Sequence, residues 1–409
     1  MSAVSEPSPP ALGAAAERLN LWVVCVSQFL VLAGMTAVLP LLPLYLQEIG
    51  VHEAEPLRWW TGALGAAPFL VAVFATPVWG AVADRYGHKP MVVRSLAGIA
   101  VASLGMGLVR SPFPLLGFRA LQGAVSGVFP AAVGLLTSTT PAARVGRSLA
   151  LLQSARSAGA LSGPLLGGII ADVMGIRPLF FLVGAFGSLM AVVSIVAVRE
   201  GRRPKAGSDD GEKRSTWREL VRAPRVRAML LLLPLFQLVV VTPWPTLALY
   251  VEELGVTPAA LATTTGVVIF AAGLPASLTA TAWARASQRY GLERLLILSM
   301  LASGITNAAV GLLSTRLDVL LVLRVVSGVA MAGFVPLAFD WLNREAPAAS
   351  RGRMASLGST VMMAASVVGP VLARWLRIYV SLASTFWVPG LLLVVVGLGW
   401  SLARRQLAS

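Results

Sequence analysis

Charged side chains are so scarce in this sequence that each one set among apolar residues is a candidate for chemistry. Asp84, Arg85 and Lys89 crowd into one short stretch, Gly80-Ala81-Val82-Ala83-Asp84-Arg85-Tyr86-Gly87-His88-Lys89-Pro90, with apolar runs on both sides. Arg119 and Arg156 stand inside apolar runs, Gln122 follows Arg119 by about one helical turn, and Asp340 stands inside a later run. The chemistry open to such a set is ionic. An arginine keeps its charge in a protein, so Arg119 or Arg156 can order water, hold an anion or favour the ionised form of a nearby acid, but cannot itself carry a proton. Asp340 can carry one. Arg119 also has a purely structural reading, in which it pairs with backbone carbonyls and locks a helix bundle. Nothing in the chain resembles a nucleotide-binding loop, a metal cluster or a nucleophile elbow, so no cofactor, no metal and no enzymatic role is expected.

The elements that must hold these residues follow from composition. Of the 409 residues, 56% are hydrophobic and 12% are charged. Soluble domains carry about a quarter charged residues, so this is a polytopic membrane protein. Twelve apolar runs occupy residues 21–44, 60–82, 91–109, 112–136, 148–173, 179–198, 228–250, 260–283, 295–313, 317–342, 355–376 and 378–402. Without water the backbone must satisfy its own hydrogen bonds, so each run is expected to be a helix. The charged stretch around Asp84 must then be a loop at the water boundary, with Gly87 permitting a tight reversal. Arg85 and Lys89 are expected beyond the partly negative end of the preceding helix, where cations are favoured. That same end repels Asp84, which needs a positive partner such as the N-terminus of another helix on the same face. Acids inside spans are scarce, and Asp340 is the expected candidate.

The net charge of +15 does not point to nucleic acid, because the basic residues fall in short clusters between spans. One set of loops holds Arg85, Lys89, Arg94, Arg144, Arg147, Arg285, Arg289, Arg294, Arg344, Arg351 and Arg353, the basic segment 199–227, and Arg404 and Arg405. The other set holds only Arg58, Arg110, Arg177, Arg316, Arg374 and Arg377. Positive residues collect inside, so both termini are expected to be cytoplasmic in a plasma (inner) membrane protein. The first run is too long for a signal-peptide core and is expected to be retained. The lone Cys25 excludes an internal disulfide.

The second half of the chain repeats the first at an offset of about 205 residues. Pro40 and Tyr45 return as Pro245 and Tyr250, Arg119 and Gly123 as Arg324 and Gly328, and Gly163-Pro164 as Gly369-Pro370. The expected organisation is a tail at 1–20, a six-helix bundle at 21–198, a linker at 199–227, a second bundle at 228–402 and a tail at 403–409. The linker is read as solvated, with a short basic surface helix over 216–227 as the alternative.

The stretch 80–90 resembles the loop signature of the major facilitator superfamily, G-x-x-x-D-R-x-G-R-K, with His88 at one basic position. Gly159, Gly163, Pro164, Gly167 and Gly168 resemble the G-x-x-x-G-P-x-x-G-G motif of drug/proton antiporters in span 5, and Arg119, Gln122 and Gly123 resemble the R-x-x-Q-G motif of span 4. The resemblance implies an all-α fold of twelve spans in two parallel six-helix repeats. It also implies a substrate site between the halves near the midplane, and an acid at position 84 that meets the start of span 11. Gly80, Asp84, Arg85, Gly87 and Lys89 and the span-5 glycines would then govern conformational change, while Arg119, Gln122, Arg156 and Asp340 are candidates for proton coupling. Gln28, Met35, Gln237, Trp244, Phe270, Phe334 and Met362 are candidates for an adaptable cavity lining. The implied function is proton-coupled export of amphipathic compounds by a monomer in a lipid bilayer. The alternative is a symporter or uniporter for a small metabolite.

Overall fold

The structure is a computed structural model that describes residues 13–200, 222–346 and 350–408, with the backbone alone at 84, 142–143, 351–353, 355 and 402–408. Among the described residues it is almost entirely helical. Twelve helical spans are long and apolar enough to cross a membrane. They are span 1 (Ala14–Glu48), span 2 (Ala54–Ala83), span 3 (His88–Leu108), span 4 (Pro112–Thr139), span 5 (Arg144–Met174) and span 6 (Ile176–Ala197), followed by span 7 (Pro224–Glu253), span 8 (Pro258–Tyr290), span 9 (Leu292–Leu313), span 10 (Leu317–Glu345), span 11 (Ser356–Tyr379) and span 12 (Ser384–Ser401). Large apolar side chains such as Val173, Leu189 and Val196 lie exposed on the outer surface, as they must where the solvent is lipid.

Proline and glycine punctuate the spans where the sequence repeats. Span 1 tightens into a 3-10 turn at Leu39–Leu41 around Pro40, and span 7 does the same at Trp244–Thr246 around Pro245. Span 4 is broken at Gly127, whose φ of +118° is open to glycine at little cost. The duplication reaches individual hydrogen bonds. Tyr45 Oη donates to the Met106 carbonyl at 2.6 Å, and Tyr250 Oη to the Ser314 carbonyl at 3.0 Å. Trp79 Nε1 donates to the Ala124 carbonyl at 2.6 Å, and Trp283 Nε1 to the Val329 carbonyl at 2.8 Å. Gly123 lets span 4 close on the Pro68 carbonyl, as Gly328 lets span 10 close on that of Ala272.

Each half has its own core. Val24, Leu96, Ile99 and Leu135 are buried in the first, and Met229, Leu233, Phe334 and Trp341 in the second. The halves meet mainly through span 5 against span 8 and span 2 against span 11. Two faces follow: the termini face, where both ends of the described chain lie, and the far face, which carries the loops 49–53 and 254–257. The close contacts between halves lie from the far face to the midplane. Toward the termini face, Ser154, Ser157, Ser277 and Leu278 on spans 5 and 8 and Val78, Gly80, Ser356 and Thr360 on spans 2 and 11 are exposed.

Candidate functional site

A cavity of about 290 Å³ lies between the halves at the midplane. Span 5 supplies Ser157, Ala160 and Leu161 from the first half; spans 7, 8 and 10 supply Trp244, Gly273, Arg324 and further apolar side chains from the second. The volume falls just below the roughly 300–1,000 Å³ usual for ligand pockets.

Above the cavity the far face is shut, and the span-5 motif explains how. Gly168 allows span 8 to approach until a Cβ there would overlap the Ala262 carbonyl, and Gly266 of span 8 abuts the Pro164 carbonyl in return. At the end of span 5, Asp172 accepts from the backbone N–H of Ala262 at 3.1 Å and of Thr263 at 2.7 Å. These are orphan donors at the positive N-terminus of span 8, so the carboxylate both caps the helix and joins the halves. In the duplicated motif Arg374 stands where Gly168 does, and it forms an ion pair with Glu55 of span 2 at 3.1 Å. Gly62 and Gly65 of span 2 let Pro370 of span 11 come close beside it. One register thus closes the far face by a missing side chain on one flank and a charged one on the other.

The other glycines of the motif do a different job. Gly159, Gly163 and Gly167 share one helix face, and that face packs on span 1 of the same half, against the backbone at Phe29 and Ala33 and against Ala37. They set the packing of the first bundle and do not line the contact between halves.

The Gly80–Pro90 stretch forms a short reversal. Span 2 runs on through Tyr86, Gly87 turns the chain at φ +106°, and span 3 begins at His88. Positions 84 and 85 therefore lie within the last turn of span 2 and not in a loop beyond it as expected, because the helix continues to the reversal at Gly87; the Arg85 guanidinium is 5.5 Å from the Tyr86 ring centroid. Lys89 does not lie beyond a helix end as expected; it sits in the first turn of span 3. Its Nζ instead donates to the Ile195 carbonyl at 2.8 Å, in the last turn of span 6. Glu200, just past span 6, accepts from the His88 N–H at 2.6 Å and caps span 3. A side chain at Gly87 would collide with that carboxylate, whereas Gly80 faces open space. The expected meeting of Asp84 with the start of span 11 falls on side chains outside the described residues.

Arg119 is 2% exposed; its Nε donates to the Leu64 carbonyl at 3.0 Å and its Nη1 to Gln122 Oε1 at 2.7 Å. The first bond ties span 4 to span 2, and the second fixes the guanidinium within span 4. Arg156 and Asp340 are not brought together in this structure. The Arg156 guanidinium lies 4.4 Å from the Phe129 ring centroid, and Asp340 holds Arg344 through two hydrogen bonds of 2.9 and 3.2 Å.

Of the residues expected to line a cavity, Trp244 does so. Phe334 does not: it is fully buried and stacked on Phe236 inside the second core, because its end of span 10 packs inward. Gln28 is buried in the first bundle, Met35 packs on the first core and Met362 on the second. Gln237 bonds Ser366 at 3.1 Å, and Phe270 is half-buried. Sequence reasoning missed Glu200 and Asp172. Asp172 lay in plain view as an acid inside the apolar run 148–173, so Asp340 is not the lone acid among the runs.

Two repeated six-helix halves around a midplane cavity, closed on one face, define a membrane transporter. The chain belongs to the Major Facilitator Superfamily, whose profile matches residues 24–273 and 235–408. It is therefore a multi-pass membrane transporter and not an enzyme. It is 29% identical over 390 residues to the multidrug resistance protein MdtG of Escherichia coli O17:K52:H18, covering 95% of each chain. The same protein of Proteus mirabilis is 29% identical over 370 residues, covering 90% of this chain and 92% of that one. The MFS-type transporter YuxJ of Bacillus subtilis is 31% identical over 373 residues, covering 90% and 94%. Among solved structures, the inward-facing, occupied form of a bacterial homolog of the human lysosomal transporter Spinster has a TM-score of 0.77 at 16% identity, covering 96% of this chain and 98% of that one. The nucleoside transporter NupG has a TM-score of 0.75 at 12% identity, covering 94% and 99%. At these identities the two structures speak to the fold alone.

Proposed function

We propose that this transporter exports amphipathic small molecules across the plasma membrane, as a monomer, in exchange for protons. The observation that carries the reading is the span-5 motif: Pro164 and Gly168 sit where the halves close over a largely apolar cavity. The multidrug resistance relatives, similar along nearly their whole length, support the same direction and substrate class. The excess of basic residues on the termini face supports a cytoplasmic position for that face. The cavity is then closed to the outside and reached from the cytoplasm, and export requires the halves to rock until the far face opens. Spans 1–6 together with Glu200, and spans 7–12 beginning at Pro224, would move as the two rocking bodies; the remainder of the expected linker 199–227 lies largely outside the described residues. Arg119 ties span 4 to span 2 within one body while Gln122 fixes its guanidinium, and the role of proton sensor is assigned to Asp340 at the cytoplasmic rim.

Everted membrane vesicles carrying a preset, inside-acid proton gradient test the proposal. Adding a transported compound should release part of the gradient in vesicles holding this protein and not in vesicles lacking it. If no amphipathic compound releases the gradient while direct uptake into the same vesicles proceeds without it, proton exchange is wrong.

A further inference from the structure

The two repeated arginines are not equivalent. Arg119 spends its donors on the Leu64 carbonyl and on Gln122. In the second half the residue matching Gln122 is Ser327, whose shorter side chain donates to the backbone carbonyl of Arg324 at 3.2 Å and does not meet the guanidinium as Gln122 does. Arg324 keeps only a long hydrogen bond from Nε to the Val268 carbonyl, 3.4 Å, and the Phe386 ring 5.8 Å away. Among the described residues nothing accepts from its terminal nitrogens. Arg324 is 8% exposed, and it lines the cavity between the halves.

A guanidinium stays charged and presents a planar fork of donors suited to two oxygens. The fork opens on the cavity and no described protein group occupies it, so the oxyanion of a ligand that enters finds charge-assisted donors free to take it. None of the lining side chains is acidic. A cation in this cavity would face Arg324 across a medium of low dielectric constant, where like charges repel strongly. A small hydrated anion would lose its water against the walls of Leu161, Val239, Trp244, Ile269 and Met331 and recover one partner. An organic acid with an apolar body satisfies both parts. Leu161 comes from the other half, so such a ligand touches both moving bodies. We infer that Arg324 anchors the oxyanion head group of an amphipathic organic acid, whose apolar body lies in the cavity against Trp244, Ile269 and Leu161. The inference rests on the reading of this cavity as the substrate site, and it names the substrate class.

Three probes with one apolar body separate the possibilities: naphthalene carboxylate, its uncharged naphthamide, and the corresponding naphthylmethylammonium. Their binding is measured by equilibrium dialysis against the purified full chain in detergent at neutral pH, with protein-free micelles as the blank. The carboxylate should bind about tenfold or more tighter than the amide, and the ammonium weakest. Arg324→Gln should bring the carboxylate to about the affinity of the amide, with a much smaller loss for the amide than for the carboxylate. Ser327→Gln, which recreates the partner found in the other half, should also erode the preference and serves if Arg324→Gln does not fold. Equal or tighter binding of the ammonium by the unaltered protein, no saturable binding of the carboxylate, or an undiminished acid preference in the folded variants would overturn the inference. No gradient is needed, so these outcomes are independent of the vesicle result on proton exchange.

Discussion

Asp172 Oδ2 accepts the backbone N–H of Thr263 at 2.7 Å, and this contact fastens the end of span 5 to the start of span 8 across the closed far face. Its chemistry is that of an N-cap, except that cap and helix belong to different halves of the molecule. A charge at a helix N-terminus contributes about 0.3–1 kcal/mol when exposed and up to about 2 kcal/mol when partly buried. That is enough to tilt an equilibrium between two access states without fixing it.

Asp172→Asn should therefore insert normally and spend more time open on the far face. In a Cys25→Ser background with a single cysteine at Ala160 in the cavity, an impermeant maleimide added from the far face should react faster in Asp172→Asn than in its parent. Asp172→Glu should restore most of the protection. Equal rates in Asp172→Asn and parent would show that the carboxylate does not hold the gate.

Two glycine substitutions should separate packing within a half from contact between halves. Gly168→Leu meets span 8 and should block far-face closure with little effect on thermal stability. Gly163→Leu meets span 1, where a Cβ would overlap the Ala33 carbonyl and Thr36 Oγ1, and overpacking of this kind costs about 1–3 kcal/mol or more. Both should remain in the membrane and lose export, but only Gly163→Leu should lower the melting temperature of the purified protein. Normal export by either variant would contradict the close-approach role of its glycine.

The helical reversal at 84–89 should show a similar division. Gly87→Ala places a Cβ at φ +106° and against Glu200, and should destabilise the protein by about 1–3 kcal/mol. Asp84→Asn should leave stability alone and slow the exchange between access states, read as a lower transport rate at normal expression. A normal rate would remove Asp84 from the mechanism.

The repeat, the twelve spans and the reversal at Gly87 were legible because they rest on period, composition and backbone geometry. Paired residues such as Tyr45 and Tyr250, or Trp79 and Trp283, carry the same hydrogen bond in each half. The site was less legible because its logic lies between residues distant in sequence. That Gly168 and Arg374 occupy one motif position yet close opposite flanks depends on what span 8 and Glu55 bring to them. Lys89 reads as a cation for the helix before it, but it serves the end of span 6, which only the packing reveals. Asp172 needed no partner to be noticed, only an inventory of acids that did not stop at Asp340.

Arg156 and Asp340 bear on the opposite closure. With the termini face apart, Arg156 rests on Phe129 and Asp340 holds Arg344. When that face closes, the two are expected to pair, and protonating Asp340 would loosen the pair. Arg156→Asp or Asp340→Arg alone should abolish transport in the vesicle assay, and the double exchange should recover a measurable part. A double exchange as inactive as the single ones would refute the pairing.

Alternating access itself is tested most directly by two distances in one preparation. Spin labels at Glu53 and Val380 report the far face, and labels at Tyr86 and Ser356 the termini face; all four residues are exposed and lie on spans 2 and 11 or at their ends. Measured in lipid nanodiscs with and without a transported compound, and at neutral and acidic pH, the two distances should change in opposite senses, the first lengthening as the second shortens. Two distances that stay fixed, or that lengthen together, in a preparation that transports would contradict the account.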